Sequence, residues 1–312
     1  MTADEETAEV GTPPTTPTRL SAGEWWAVLK RSGKEFMADD AMGLSQQIAY
    51  SSLLAFFPAM VFLVGLLGLV GAYDELQEFL NPVAPQAVTD LIEQLQESSG
   101  KNGASAAALV LGAFGAVWAA SGAMNAVVKS VNRAYDRTET RPFWKVRLTS
   151  IVLVVATGLV TASLLLLIVI GGPLGRAIAD YAQLGTAWDW LWTVVRWPLA
   201  FAVILLFFAL VDYLAPDVET RDWRWISPGS LVGGVLWLVL SGLFALYTSF
   251  SESYNETYGT LAGGIILLLW LNYSAFALLF GAELNSELDR QADIRAAGGP
   301  NAGLIKQARR GV

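Results

Sequence analysis

The chain has 312 residues, 54% of them hydrophobic and only 15% charged, with a net charge of −8. Soluble domains carry about 25% charge, so the composition points to a membrane protein, and the acidic balance gives no global attraction to nucleic acid. Cysteine and histidine are both absent, which excludes a disulfide framework, the usual zinc ligand and any Ser–His or Cys–His nucleophile.

Residues 1–20, rich in Thr, Pro and Glu, predict a disordered cytoplasmic tail without the apolar core of a signal peptide. From Gly23 to Asp40, Trp25, Val28, Leu29 and Phe36 fall on one side of a helix and Lys30, Arg31 and Lys34 elsewhere. This predicts an amphipathic helix over 21–42, lying on the inner membrane surface or else extending the first span.

A helix crosses the hydrocarbon core with roughly 20 mostly apolar residues. The 33 uncharged residues between Asp40 and Asp74 place the first span at about 48–72, with Pro58 as an expected kink. The acidic stretch from Tyr73 to Gly103 carries Val88, Leu91, Ile92 and Leu95 at helical spacing, which predicts a short amphipathic helix at the outer face. Further spans follow at about 104–128, 148–171, 191–211, 226–250 and 261–283. The fourth is the weakest, because Arg196 lies inside it. The fold class is therefore all-α: a polytopic integral membrane protein with six transmembrane helices in one bundle (43–288), amphipathic interfacial helices, and a cytoplasmic C-terminal tail (289–312).

Orientation follows from the basic residues. Of the twenty Lys and Arg, seventeen fall in the two tails and in the loops after spans two and four, whereas Lys101, Arg176 and Arg196 do not. By the positive-inside rule both termini are cytoplasmic. Trp188, Trp190, Trp192 and Trp197 would mark the outer interface, and Trp144, Trp223 and Trp225 the inner one.

In the second span Ala104, Ala108, Gly112, Ala116 and Ala120 repeat every four residues, a small-residue ridge suited to close helix packing; Gly229 and Gly233 repeat it in the fifth. Polar residues at membrane depth are costly and therefore informative. Asn272 and Glu283 share a face of the sixth span with Phe276. Asn272 either bridges two helices or faces a substrate, and Glu283 is either solvated at the interface or buried for function. Arg196 either snorkels outward or acts as a ligand. Tyr258-Gly259-Thr260 reads as a turn capping the sixth helix. No phosphate loop, nucleophile elbow or zinc motif is present, so no enzyme activity, cofactor or metal is expected.

Three groups of segments resemble the YihY/BrkB family of bacterial inner-membrane proteins. The first is Leu44-Ser45, Ala49-Tyr50 and Leu54-Ala55-Phe56-Phe57-Pro58. The second is Ser121-Gly122, Met124, Asn132-Arg133-Ala134-Tyr135-Asp136, Glu139 and Arg141-Pro142-Phe143-Trp144, reaching Arg147. The third is Tyr258-Gly259-Thr260, Trp270-Leu271-Asn272-Tyr273 and Gly281-Ala282-Glu283-Leu284-Asn285. Thr260 and Asn272 stand where the family commonly has serine and tyrosine. The resemblance covers residues 25–290 and implies a six-helix protein of the bacterial plasma membrane. It also implies a link to serum resistance and to envelope lipid or lipopolysaccharide processes, with transport as the suspected activity. An old family label, a transfer-RNA-processing ribonuclease, finds no histidine here for a metal-dependent nuclease site.

The expected function is a transporter or flippase-like protein for a lipid or other amphipathic envelope substrate. The alternative is a non-catalytic scaffold for envelope partners. Candidate substrate or lipid contacts are Asn132, Arg133, Tyr135, Arg141, Tyr258, Asn272, Glu283 and Asn285, with Arg133 and Arg141 the candidates for an anionic head group. Expected partners are the bilayer, anionic lipids and envelope proteins; oligomerisation is compatible with the small-residue ridges, and no nucleic-acid partner is expected.

Overall fold

In the computed structural model, residues 20–70, 106–167, 181, 185–218, 226–249 and 261–296 are described. They form seven α-helices and, among the described residues, no strand. These are α1 (Ala22–Ala38), α2 (Ala41–Val70), α3 (Ala106–Ala134), α4 (Phe143–Leu165), α5 (Gly185–Leu214), α6 (Pro228–Ser249) and α7 (Leu261–Ala296). Four of them contain stretches long and apolar enough to cross a membrane: Phe143–Leu164, Trp190–Leu214, Pro228–Thr248 and Gly263–Ala292. α2 and α3 run 30 and 29 residues. Pro58 in α2 and Pro198 in α5 sit inside continuous helices. The helix expected at the outer face, Tyr258, and Ala104 and the side chain of Ala108 lie outside the described residues.

From α2 to α7, each helix packs against the next, and α7 returns to α2 to close the ring. α7 also touches α3, α5 and α1. At 36 residues it is about 54 Å long, more than a bilayer core of roughly 30 Å requires. α1 packs along its second half, from Phe276 to Gln291.

α1 is a helix in its own right. Ser21 and Glu24 form a reciprocal capping box at its start. It ends at Asp39, and Asp40 adopts a left-handed backbone (φ 53°) before α2 begins. The Asp40 carboxyl group fills the space beside Gly43, in the first turn of α2. Val28, Ser32 and Phe36 form the buried face of α1. Phe36 meets Phe276 edge-on, with ring centroids 4.7 Å apart, and Val28 packs with Leu284 and Leu288 of α7. The opposite face leaves Trp26, Leu29, Lys30, Lys34 and Met37 exposed.

Packing is strongly polarised along the bundle. The main core joins Phe36, Ile48, Val127, Val128, Val131, Leu153, Phe208, Val211, Leu278 and Leu279, all towards the end where α3 passes into α4. Among the described residues, none is buried in α4 after Leu153, in α5 before Ala200, in α6 after Gly234 or in α7 before Ala275.

Two of the small-residue positions lie where backbones approach closely. A Cβ at Gly229 would fall on the Gly281 carbonyl oxygen and the Asn285 carboxamide; one at Gly233 would lie 2.8 Å from the Phe208 ring and 3.0 Å from the Ala277 carbonyl oxygen. Gly281 of α7 faces Gly229 from the other side. Trp237 donates to Ser274 and Trp270 to Ser241, so the α6–α7 seam is crossed by two reciprocal indole–hydroxyl bonds. On α3, Ala116 is buried, but a Cβ at Gly112 meets nothing within 4 Å among the described residues.

Candidate functional site

Two of the residues singled out around the loop after α3, Asn132 and Arg141, meet in a latch at the packed end. α3 ends in a Schellman motif: Asp136 takes a left-handed conformation (φ 51°), its amide donates to the Arg133 carbonyl, and Arg137 donates to the Asn132 carbonyl. That turn sends the chain back towards α3, and the Asn132 side chain, almost fully buried, ties both directions together. Its Nδ2 donates to Glu139 at 2.8 Å, and its Oδ1 accepts from the Asp217 amide at 2.7 Å.

Arg141 completes the latch. Nε and Nη2 form a fork on the two Glu139 oxygens, each at 2.7 Å. Nη2 also donates to the Ala215 carbonyl and Nη1 to the Leu214 carbonyl, so the guanidinium caps the C-terminus of α5. Asp217 lies 3.7 Å away and accepts from the Thr140 amide and hydroxyl. Arg141 is thus held by two carboxylates and two helix-end carbonyls. Its neighbour in the resemblance, Arg133, is mostly exposed, with Nε 3.2 Å from Asp39. Tyr135 packs against the main core.

The latch has a defined acid sensitivity. Burial penalises the charged form of Glu139, but the hydrogen bonds and charge of Arg141 and the Asn132 bond outweigh it and leave its pKa below 4.5. A depressed carboxyl pKa stabilises the fold above the unfolded value and loses that contribution as pH falls through the folded one. Asp39 has the opposite sign, because burial raises its pKa despite Arg133. Thermal unfolding of wild type and Glu139→Gln is expected to differ most near neutrality. The gap should close below about pH 4.5; a constant gap down to pH 3 would show that Glu139 is not ionised in the latch.

A second polar node joins α5, α6 and α7. Asn285 Nδ2 donates to Asp212 (2.7 Å) and to Ser227 (2.8 Å), while its Oδ1 accepts from the Gly229 amide at 2.9 Å. Ser227 and Ser230 bond to each other at the start of α6. Asp212 Oδ1 is buried without a partner among the described residues. The sequence pattern carries Asn285, but Asp212, Ser227 and Ser230 gave no signal beyond being polar near helix ends.

Glu283 is buried, with Asp39, Glu287, Asp136 and Glu35 as its charged surroundings. Asn272, about three turns earlier in α7, is half-buried; the two are not joined by any hydrogen bond among the described residues. On the far side of the acidic group, Arg31 of α1 pairs with Glu287 at 2.9 Å and donates to Gln291, and Arg290 bridges Glu287 and Glu35. Among the described residues no group of acidic side chains is arranged to hold a metal ion. Arg196 is half-buried, 5.5 Å from the ring of Trp197.

Residues 32–305 match the family described as Virulence factor BrkB. The chain is 31% identical to the ribonuclease-like protein YfkH of Bacillus subtilis over 84% of its own length and 95% of that protein. It is 31% identical to a UPF0761 membrane protein of Stenotrophomonas maltophilia, over 53% of this chain and 37% of the relative. A UPF0761 membrane protein of Tolumonas auensis is 30% identical over 52% of each chain. The chain therefore spans nearly all of the first relative but well under two thirds of the others. No solved structure matches. Long apolar helices, the latch motif in the loop after α3 and a family match across most of the chain lead to one conclusion: this multi-pass membrane protein belongs to the BrkB virulence-factor family.

Proposed function

We propose that the chain crosses the bacterial plasma membrane six times, with both termini in the cytoplasm, and moves an amphipathic envelope lipid between leaflets without enzymatic chemistry. The observation that carries this reading is the polarised packing. The bundle is closed at one end by the apolar core, the Arg141 latch and the Asn285 node, while the facing halves of α4, α5, α6 and α7 bury no described residue. Such an asymmetry among the described residues is what one half of an alternating-access cycle would present. A scaffold has no need of that asymmetry. The basic latch end is the cytoplasmic one by its charge.

Glu283 lies inside the closed end, surrounded by other carboxylates, and ionisable residues held within membrane bundles mark pathways more often than packing. Purified protein in vesicles containing a head-group-labelled phospholipid is expected to expose inner-leaflet label to an external quencher. Glu283→Gln, which keeps the side chain's shape, should slow that exposure several-fold. Wild-type vesicles no faster than protein-free ones with phosphatidylglycerol, cardiolipin and phosphatidylethanolamine would refute lipid movement and leave the scaffold reading.

A further inference from the structure

Arg133 and Arg141 are the basic residues that the sequence offers to an anionic head group, and both face carboxylates. Another arginine does not. Arg147 stands one turn inside α4, within a segment apolar enough to cross a membrane. Its Nη2 donates to the backbone carbonyl of Trp118 across the α3–α4 seam at 2.8 Å. Its guanidinium carbon lies 3.7 Å from the centre of the Trp118 ring. No carboxylate pairs with it among the described residues, and Nε is buried without an acceptor.

The surroundings of this cation are those of a lipid-facing surface. Trp118 and Phe114, one turn apart on α3, are 63% and 73% exposed, and Leu148 beside Arg147 is exposed as well. Added Cβ atoms at Gly115 and Gly122, on the same stretch of α3, would meet nothing within 4 Å among the described residues. The seam therefore presents exposed apolar side chains around a guanidinium that pairs with no carboxylate among the described residues. A charge in hydrocarbon without a counter-ion is expensive. A ring face and one carbonyl offset only part of that cost.

We propose that Arg147 binds the phosphodiester of an anionic phospholipid, one of whose acyl chains lies along Trp118 and Phe114. The guanidinium fork matches two phosphate oxygens, stacking on Trp118 fixes its plane, and the bilayer supplies the ligand at high local concentration. This site is separate from the transport reading, since a bound lipid on the outside of the bundle serves a scaffold equally well.

Native mass spectrometry of the full chain, titrated with phosphatidylglycerol or phosphatidylethanolamine, tests it. Wild type is expected to hold one phosphatidylglycerol about ten-fold more tightly than phosphatidylethanolamine, as a charge-assisted bond within apolar surroundings implies. Arg147→Ala should abolish that preference, Arg147→Lys should retain part of it, and Lys34→Ala, at an exposed charge on α1, should leave it intact. Equal binding of the two lipids by wild type overturns the proposal, whether or not Arg147→Ala folds. So does a preference that persists in folded Arg147→Ala, or one lost equally in Lys34→Ala. If Arg147→Ala does not fold, Trp118→Ala replaces it, and an undiminished preference in that variant overturns the proposal.

Discussion

Arg141→Ala is expected to destabilise the helical bundle by about 3–5 kcal/mol, the range for removing one partner of a buried ion pair. The side chain is only 10% exposed, and its loss strands Glu139, Asp217 and the terminal carbonyls of Leu214 and Ala215 together. Arg141→Lys keeps the charge but cannot form the fork on Glu139 and reach both carbonyls, so it should fall between alanine and wild type. Equilibrium unfolding in mixed micelles, followed by circular dichroism, measures both. A loss under about 0.5 kcal/mol for the alanine variant, the scale of an ordinary surface change, would mean the latch is not structural.

The second large effect is expected at the α6–α7 crossing. Gly229→Val places a branched side chain against the Gly281 carbonyl and the Asn285 carboxamide, both part of helices that have no room to move apart without breaking the Gly229–Asn285 hydrogen bond. Overpacking alone costs about 1–3 kcal/mol, and uncoupling the buried Asn285 adds the cost of its unsatisfied groups. Gly112→Val is the matched comparison: the same change on α3 meets nothing within 4 Å among the described residues. A variant pair with equal unfolding midpoints would refute the assignment of Gly229 to a close helix crossing.

The two glycine positions show what the sequence can and cannot disclose. A repeat of small residues marks a smooth helix face, and it does so equally at Gly112 and Gly229. Which face meets a backbone depends on where the partner helix carries its own glycine, here Gly281, fifty-two residues further on. The helices themselves were legible because long uncharged runs leave the backbone no other way to satisfy its hydrogen bonds in lipid. The loop after α3 was legible as distinctive, since interleaved acids and bases exceed what membrane orientation needs. Its geometry was not. Arg141 looked available to a ligand, yet its partners include Asp217, and its two carbonyl acceptors belong to a helix end whose position no local pattern encodes. Conversely, nothing in composition separated Arg147 from its basic neighbours; its contact with the Trp118 carbonyl and ring, and its buried Nε without an acceptor among the described residues, do.

The attachment of α1 to the end of α7 also has a consequence for biogenesis. Arg31 and Glu287, or Phe36 and Phe276, are separated by most of the polypeptide. At a synthesis rate of about 5–20 residues per second, roughly 10–50 s elapse between the emergence of α1 and that of its docking helix. For that interval the face bearing Val28 and Phe36 lacks its α7 contacts, Phe276, Leu284 and Leu288. A ribosome that stalls before α7 therefore leaves Val28 without Leu284 and Leu288, and Arg31 without Glu287.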